Sequence, residues 1–359
     1  MSPAISDERC MDEVLLLAKR GAGWTNPNPM VGAVIAKNGR IVARGFHRRA
    51  GGAHAEIEAL KAAGQRARGA TLYANLEPCA HIGKTPPCTD AIIKAGIRRI
   101  VCSAKDPDPR VNGRGIAKLR RAGIAVRCGV RAREARALNE AFYAFHAKRR
   151  PFVALKFAAS LDGKLATRAG DSKWLTNDAA RAYARSLRGR YHAVLVGAGT
   201  ALADDPHLGV RARGKRDPVR VILDPRLRVP LSARALRGNA IVAASLGAPR
   251  RKKKTLERRG ITVISFKSAR IPLRALLAKL RTLNIVSVLV EGGGETLGRF
   301  IDEKLFDRVY AFHAPLLVGG RKAVSIGGLG TGTLKHAVRL HDVSVVRFDD
   351  NVLISGRTP

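Results

Sequence analysis

Apolar positions in the first half of the chain recur at a helical period and then at a strand period. Met11, Val14, Leu15 and Ala18 repeat at three- and four-residue steps, predicting a helix over 7–20 that Gly21 stops. Trp24-Thr25-Asn26-Pro27-Asn28-Pro29 predicts a rigid, polar, extended loop. Two strand-like runs, 31–36 and 40–46, flank Asn38-Gly39, a hairpin signal because both turn residues tolerate positive φ. Helices are expected over 54–64, 88–95, 113–122 and 131–147, with strands over 70–76, 99–104 and 125–128 between them. A hairpin followed by alternating helix and strand predicts a sheet with helices on both faces.

The pattern restarts after Lys148-Arg149-Arg150-Pro151, a short basic link, so domains are expected over 1–147 and 151–359. Strands are expected over 152–159, 193–196, 219–223, 240–244, 261–265 and 286–290. Helices are expected over 177–188, with Asn177 as N-cap, and over 273–283. The strand ending at Val290 runs into Glu291-Gly292-Gly293-Gly294-Glu295-Thr296-Leu297-Gly298. A strand, a glycine run and a helix can cradle a diphosphate on helix N–H groups, although the same glycines also suit a plain tight turn.

Length changes the picture little: 359 residues suit two or three domains. No apolar run approaches the ~20 residues of a membrane span, and 1–7 lacks the features of a signal peptide. Five cysteines suit a reducing cytoplasm, with Cys10, Cys102 and Cys128 expected as small buried hydrophobes. The net charge of +38 would attract polyanions and phosphorylated metabolites alike. It is spread over the chain, with one concentration at 250–254 and little aromatic interleaving for base stacking, which favours a solvated surface.

Candidate chemistry concentrates between His54 and Cys88. His54-Ala55-Glu56 opens a helix, and Pro78-Cys79 and Pro87-Cys88 follow. One imidazole and two thiols can fill three corners of a tetrahedral zinc and leave the fourth open. Glu56, two residues beyond the histidine, can act as proton shuttle without being a ligand, the arrangement of zinc nucleobase deaminases. The second thiol comes late, so an insertion loops out between the ligands. His81 is set aside because a fourth protein ligand would close the open corner. Two structural cysteines and a core histidine are the plainer alternative.

Asn28-Pro29-Met30-Val31-Gly32, His54-Ala55-Glu56, Leu76-Glu77-Pro78-Cys79, Gly83-Lys84-Thr85-Pro86-Pro87-Cys88 and Asp106-Pro107-Asp108-Pro109 together resemble the bacterial bifunctional riboflavin-biosynthesis deaminase/reductase. So do Ala159-Ser160-Leu161-Asp162-Gly163, Ser172-Lys173-Trp174-Leu175-Thr176, Ala203-Asp204-Asp205-Pro206 and Val290-Glu291-Gly292-Gly293 in the second half. The resemblance implies a cytidine-deaminase-like three-layer α/β/α domain followed by a dihydrofolate-reductase-like α/β domain. It implies zinc-dependent deamination of 2,5-diamino-6-(5-phosphoribosylamino)pyrimidin-4-one, then NADPH-dependent reduction of the ribosyl group to ribityl. The matched positions imply zinc on His54, Cys79 and Cys88 with Glu56 catalytic, and NADPH at Ala158, Trp174, Thr200 and Gly293, Gly294, Glu295, Thr296, Leu297 and Gly298. They imply substrate at Asn28, His47, Lys84, Lys156, Ser172, Arg188, Asp204, Leu208, Arg211 and Glu291, with Arg188 and Arg211 suited to the ribose 5-phosphate. The protein is expected to act on a small molecule in the cytoplasm, as a homo-oligomer, away from membranes and, despite its charge, away from nucleic acid. A nucleic-acid-editing deaminase is the competing reading; the G-K-T-P-P insert and the absence of a recognised nucleic-acid-binding motif disfavour it.

Overall fold

A computed structural model describes residues 5–81 and 86–359. The chain divides into two compact units, 1–149 and 150–359.

The first unit begins with α1 (Asp7–Lys19), held at its start by the Ser6 side chain accepting from the Arg9 amide. The hairpin β1 (Gly32–Lys37) and β2 (Arg40–Phe46) turns at Asn38 and Gly39, both at positive φ. Then come α2 (Ala55–Ala63), β3 (Thr71–Ala74), α3 (Cys88–Lys94), β4 (Arg99–Cys102), α4 (Arg114–Arg121), β5 (Ala125–Cys128), α5 (Ala132–Leu138) and α6 (Glu140–Ala147). The sheet order is β2-β1-β3-β4-β5, with β1 antiparallel to both neighbours and β3, β4 and β5 parallel. Strand alternation divides the core. Val34, Tyr73 and Val101 pack with Met11 and Val14 of α1, while Ile35, Leu72 and Ile100 pack with Ala59 of α2 and Ile92 of α3. Helices therefore cover both faces, giving the three-layer unit expected from the alternating elements.

Three local expectations are corrected here. The 24–29 loop is not extended but wound into consecutive turns, with Thr25 N donating to Gly21 O and Asn28 N to Thr25 O. The expected helix over 131–147 breaks at Asn139, whose buried side chain accepts from Met30 N and donates to Met30 O, both at 2.8 Å. An asparagine that bonds backbone elsewhere competes with the helix ladder. Cys10 and Cys102 are buried, but Cys128 is exposed because β5 is an edge strand.

The second unit contains β6 (Phe152–Ser160), α7 (Asp178–Arg188), β7 (Ala193–Gly197), α8 (Ala198–Asp204), β8 (Val219–Leu223), β9 (Ala240–Ser245) and α9 (Arg250–Arg258). It continues through β10 (Thr262–Phe266), α10 (Leu273–Thr282), β11 (Ser287–Val290), α11 (Gly294–Asp302), β12 (Arg308–Ala314), β13 (His341–Phe348) and β14 (Asn351–Arg357). Asn177 caps α7 through Ala180 N. Nine strands run in the order β10-β9-β8-β7-β11-β6-β12-β14-β13. All are parallel from β10 to β12, and the last two pair antiparallel. Val153, Leu155, Leu195, Val221, Val288 and Val290 pack under Leu276, Leu277, Leu280, Leu297 and Phe300 from α10 and α11. The continuous apolar runs that predict these strands belong to parallel strands buried on both faces.

Candidate active sites

The first candidate site is built where β2, β3 and α3 end or begin. His54 is the residue before α2, and Glu56 lies in the first turn of that helix. β3 delivers Cys79 through Asn75-Leu76-Glu77-Pro78, and Cys88 opens α3. His54 Nδ1 stands 3.2 Å from Cys88 Sγ and 3.6 Å from Cys79 Sγ, and Cys88 N donates to Cys79 Sγ at 3.4 Å. One ligand atom from each of the three lies within 4.8 Å of the others, and His81 is not part of this group among the described residues. Hydrogen bonds from the Cys88 thiol and from His54 bring the Cys79 thiol down to about 4, while Cys88 is pushed up because its thiol donates that hydrogen bond to Cys79 and is buried. Two sulfurs that share one negative charge suit a dication, which would hold both as thiolates. Glu56 is only 4% exposed, and burial raises its carboxyl. A buried carboxyl touching a sulfur of the group is placed to hold and release protons.

Around this group, Asn28 Nδ2 lies 3.1 Å from His47 Nε2, and His47 Nδ1 lies 2.9 Å from Ala53 O. The His47 and His54 rings meet edge to face at 5.5 Å. Lys84 lies outside the described residues. Sequence reasoning did not single out the residues that brace the site. The buried Glu77 carboxylate accepts from the amides of Gly113 at 2.8 Å, Gly115 at 2.9 Å, Ile116 at 3.2 Å and Asp106 at 3.3 Å. Gly115 is packed so closely that a Cβ there would lie 2.0 Å from Pro78 O. Asn75 accepts from Gly32 N and donates to Met30 O, each at 2.9 Å. A buried polar residue just upstream of Pro-Cys is the only signal of this bracing that the sequence offers.

The second candidate site lies at the carboxyl ends of the adjacent parallel strands β7, β11 and β6, where ligands bind in open α/β sheets. Lys156 and Ala158 come from β6, Thr200 from α8 after β7, and Glu291 follows β11. Glu291 takes both arms of the Arg188 guanidinium, at 2.7 and 3.0 Å, and faces Lys156 Nζ at 3.6 Å. Although burial alone would raise it, these two cations hold the Glu291 carboxyl down at about 2. Arg188 also donates to Gly209 O at 3.1 Å. The guanidinium that the resemblance suits to the ribose phosphate thus faces Glu291 and Gly209 O here. Arg211 remains exposed in the 211–217 loop. Leu208 is 1% exposed, so only its backbone could meet a ligand. Asp204 pairs with Lys173 at 3.8 Å, and the exposed Trp174 ring lies beneath Arg181 at 4.7 Å. Ser172 is half-buried beside them.

The glycine run divides by position. Gly293, Glu295 and Thr296 retain exposure, and Gly293 N donates to Thr200 Oγ1 at 3.0 Å. Leu297 is buried in the core with its amide donating to Gly293 O. Gly294 and Gly298 are covered by the chain itself: a Cβ on them would lie 1.9 Å from Ser325 O and 2.0 Å from Gly327 O. These two glycines serve close packing of backbone, leaving the amides at the start of α11 as the part of the run open to a ligand.

Fold and site together define a zinc-type nucleobase-deaminase unit joined to a reductase unit of dihydrofolate-reductase-like α/β architecture. Residues 4–104 match the cytidine and deoxycytidylate deaminase zinc-binding region, and residues 151–354 match the RibD C-terminal domain. The riboflavin biosynthesis protein RibD of Aquifex aeolicus is 45% identical over 97% of both chains. Solved structures of Acinetobacter baumannii RibD (form 1; TM-score 0.90, 37% identity, 98% of this chain and 99% of that one) and of the Thermotoga maritima diaminohydroxyphosphoribosylaminopyrimidine deaminase/5-amino-6-(5-phosphoribosylamino)uracil reductase (TM-score 0.87, 39% identity, 98% and 99%) share its fold. The chain belongs to the RibD family of bifunctional riboflavin-biosynthesis enzymes.

Proposed function

We propose that residues 1–147 deaminate 2,5-diamino-6-(5-phosphoribosylamino)pyrimidin-4-one and that residues 151–359 reduce the deaminated product to 5-amino-6-(5-phosphoribitylamino)uracil with NADPH. The observation that carries this reading is the cluster of His54, Cys79 and Cys88 around one point, with Glu56 buried beside it, in a chain alignable end to end with RibD proteins. The three residues would hold zinc, which when bound would acidify a water and so supply the hydroxide nucleophile. Glu56 takes the water's proton at a carboxylate oxygen and passes it to the ring nitrogen, then carries a second proton, from the added hydroxyl, to the departing amine, which leaves as ammonia.

In the second unit NADPH supplies hydride when bound. Ala158, Thr200 and the amides of Gly294 and Glu295 offer it a surface at the strand ends, with Trp174 beside them. Glu291 stays ionised and holds the Lys156 side chain in place, so Lys156 Nζ is positioned to donate to the opened sugar oxygen. Arg188 fixes Glu291, leaving Arg211 to face the phosphate. Among the described residues no helix is long and apolar enough to cross a membrane, and we place the enzyme in the cytoplasm with a small-molecule substrate. The test follows ammonia release and NADPH oxidation separately with the phosphoribosylaminopyrimidine. Ammonia should appear without NADPH, and NADPH oxidation should require the deaminated product. Absence of both would overturn the reading.

A further inference from the structure

Cys102 ends β4, Cys128 ends β5, and the two stand opposite each other in the parallel register of these strands. Paired positions on neighbouring strands lie about 4.8 Å apart, inside the span of about 4.4–6.8 Å between the Cα atoms of a disulfide. Their side chains leave the sheet on one face. Two residues earlier, the paired Ile100 and Val126 both pack on the α2 and α3 side, and alternation places Cys102 and Cys128 on that side too. The two thiols are free and meet there. Cys102 donates a hydrogen bond to the Cys128 sulfur, which draws the Cys128 thiol below its usual value against burial and the Glu77 charge, with help from Arg120 and Lys105. Donating that bond and being buried push Cys102 up. Access divides the pair: Cys128 is exposed on the edge strand, and Cys102 is wholly buried. An accessible thiol of thiolate character beside a second thiol that can resolve it is the arrangement of a peroxide-sensitive site.

We propose that Cys102 and Cys128 form a reversible dithiol–disulfide site, oxidised by peroxide, that staples the edge strand β5 to β4. The Cys128 thiolate attacks one oxygen of hydrogen peroxide and the O–O bond breaks. That oxygen stays on Cys128 as a sulfenic acid, and the other takes a proton and leaves as water. The Cys102 sulfur gives up its proton and attacks the Cys128 sulfur, expelling hydroxide, which that proton converts to the second water. Two thiols and one hydrogen peroxide become one disulfide and two waters; the sulfurs lose two electrons and the peroxide gains them. A dithiol reductant reverses the bond by exchange. Because the register already opposes the two residues, closure needs no strand shift. His54, Cys79 and Cys88 take no part.

The full zinc-loaded chain, freed of reductant and exposed to hydrogen peroxide, tests this. Its intact mass should fall by two hydrogens, and peptide mapping should join the Cys102 and Cys128 peptides while zinc stays bound. Dithiothreitol should restore both thiols. The first unit of the oxidised chain should melt about 5 °C or more above that of the reduced chain, as a cross-link between sequence-distant positions implies. C102S should stop at a Cys128 sulfenic acid trapped by dimedone, and C128S should form no link. The native-chain map decides the question even where C102S does not fold. Oxygen retained on Cys128 of the native chain after dithiothreitol, a Cys128 link to a second chain, or zinc released before any Cys102–Cys128 link forms would each overturn the site. A linked chain that melts no higher than the reduced one would overturn the staple.

Discussion

Glu56 and Asp106 are both buried carboxyls in the first unit, and they answer to different tests. Glu56→Gln removes the proton shuttle and no ligand. Zinc content should be unchanged, and ammonia release should fall by about 10²- to 10⁴-fold, the range for loss of a general acid–base. Equal rates for variant and native enzyme would remove Glu56 from the chemistry. Burial pushes Asp106 up to about 7, assisted by the charges of Asp108, Glu77 and Cys79. Its unfolded value is about 3.9, so the folded protein binds this proton more tightly. The stabilisation from that proton is complete below about pH 4 and is lost as the pH rises through about 7. Asp106→Asn should therefore melt with a flatter pH dependence across that window than the native chain, measured on zinc-loaded protein. Parallel melting profiles would show that Asp106 does not titrate there. The role of Arg188 shows where residue-level reading stops. An arginine near a phosphate substrate suits the phosphate by chemistry alone, and only the fold reveals that Glu291, 103 residues away, has taken its fork.

At the scale of elements, the loop from Asp106 to α4 is tied to the strand end that carries Cys79. Gly115→Ala would drive a methyl group against Pro78 O, displacing the segment that presents the sulfur. Zinc affinity in chelator competition should fall about 10- to 100-fold, the cost typical of disturbing groups that orient ligands; unchanged affinity would show the two segments to be independent. In the second unit, Glu291→Gln leaves two half-buried cations without their anion. Denaturant unfolding should show a loss of about 3–5 kcal/mol, together with loss of NADPH oxidation. A variant of native stability would mean that water already screens Arg188 and Lys156.

Element patterns that depend on local sequence were legible: the Asn38-Gly39 turn, the Asn177 cap and the apolar parallel strands. Those that depend on a distant partner were not. Nothing near Asn139 signals that Met30, 109 residues away, will claim its side chain and split the last helix. β12, β13 and β14 went unassigned, and β13 is almost wholly exposed, so it has no buried face to impose a period of two. The grouping of His54, Cys79 and Cys88 was readable because spacing and residue type suffice, whereas Glu77 and Asn75 work through backbone groups that leave little pattern.

Across the whole molecule, the two sets of chemical groups fall in separate compact units, the first closing at 149. Chelating zinc should stop ammonia release while leaving NADPH oxidation by the deaminated pyrimidine within about twofold, since metal binding couples to the folding of the unit that supplies its ligands. Collapse of both activities on chelation would show that the second unit depends on the metal of the first.

Asn139 and the 113–116 amides carry a practical lesson for anyone excising a minimal deaminase. The region shared with cytidine deaminases ends at 104. A fragment cut there would keep His54, Cys79 and Cys88 and discard the amides that satisfy Glu77 and the amide that grips Met30. Such a piece would hold a buried carboxylate stripped of all four of its amide donors and a loop at Met30 held by Asn75 without Asn139. The smallest excisable unit therefore extends through Asn139, well past the boundary that motif matching alone would draw.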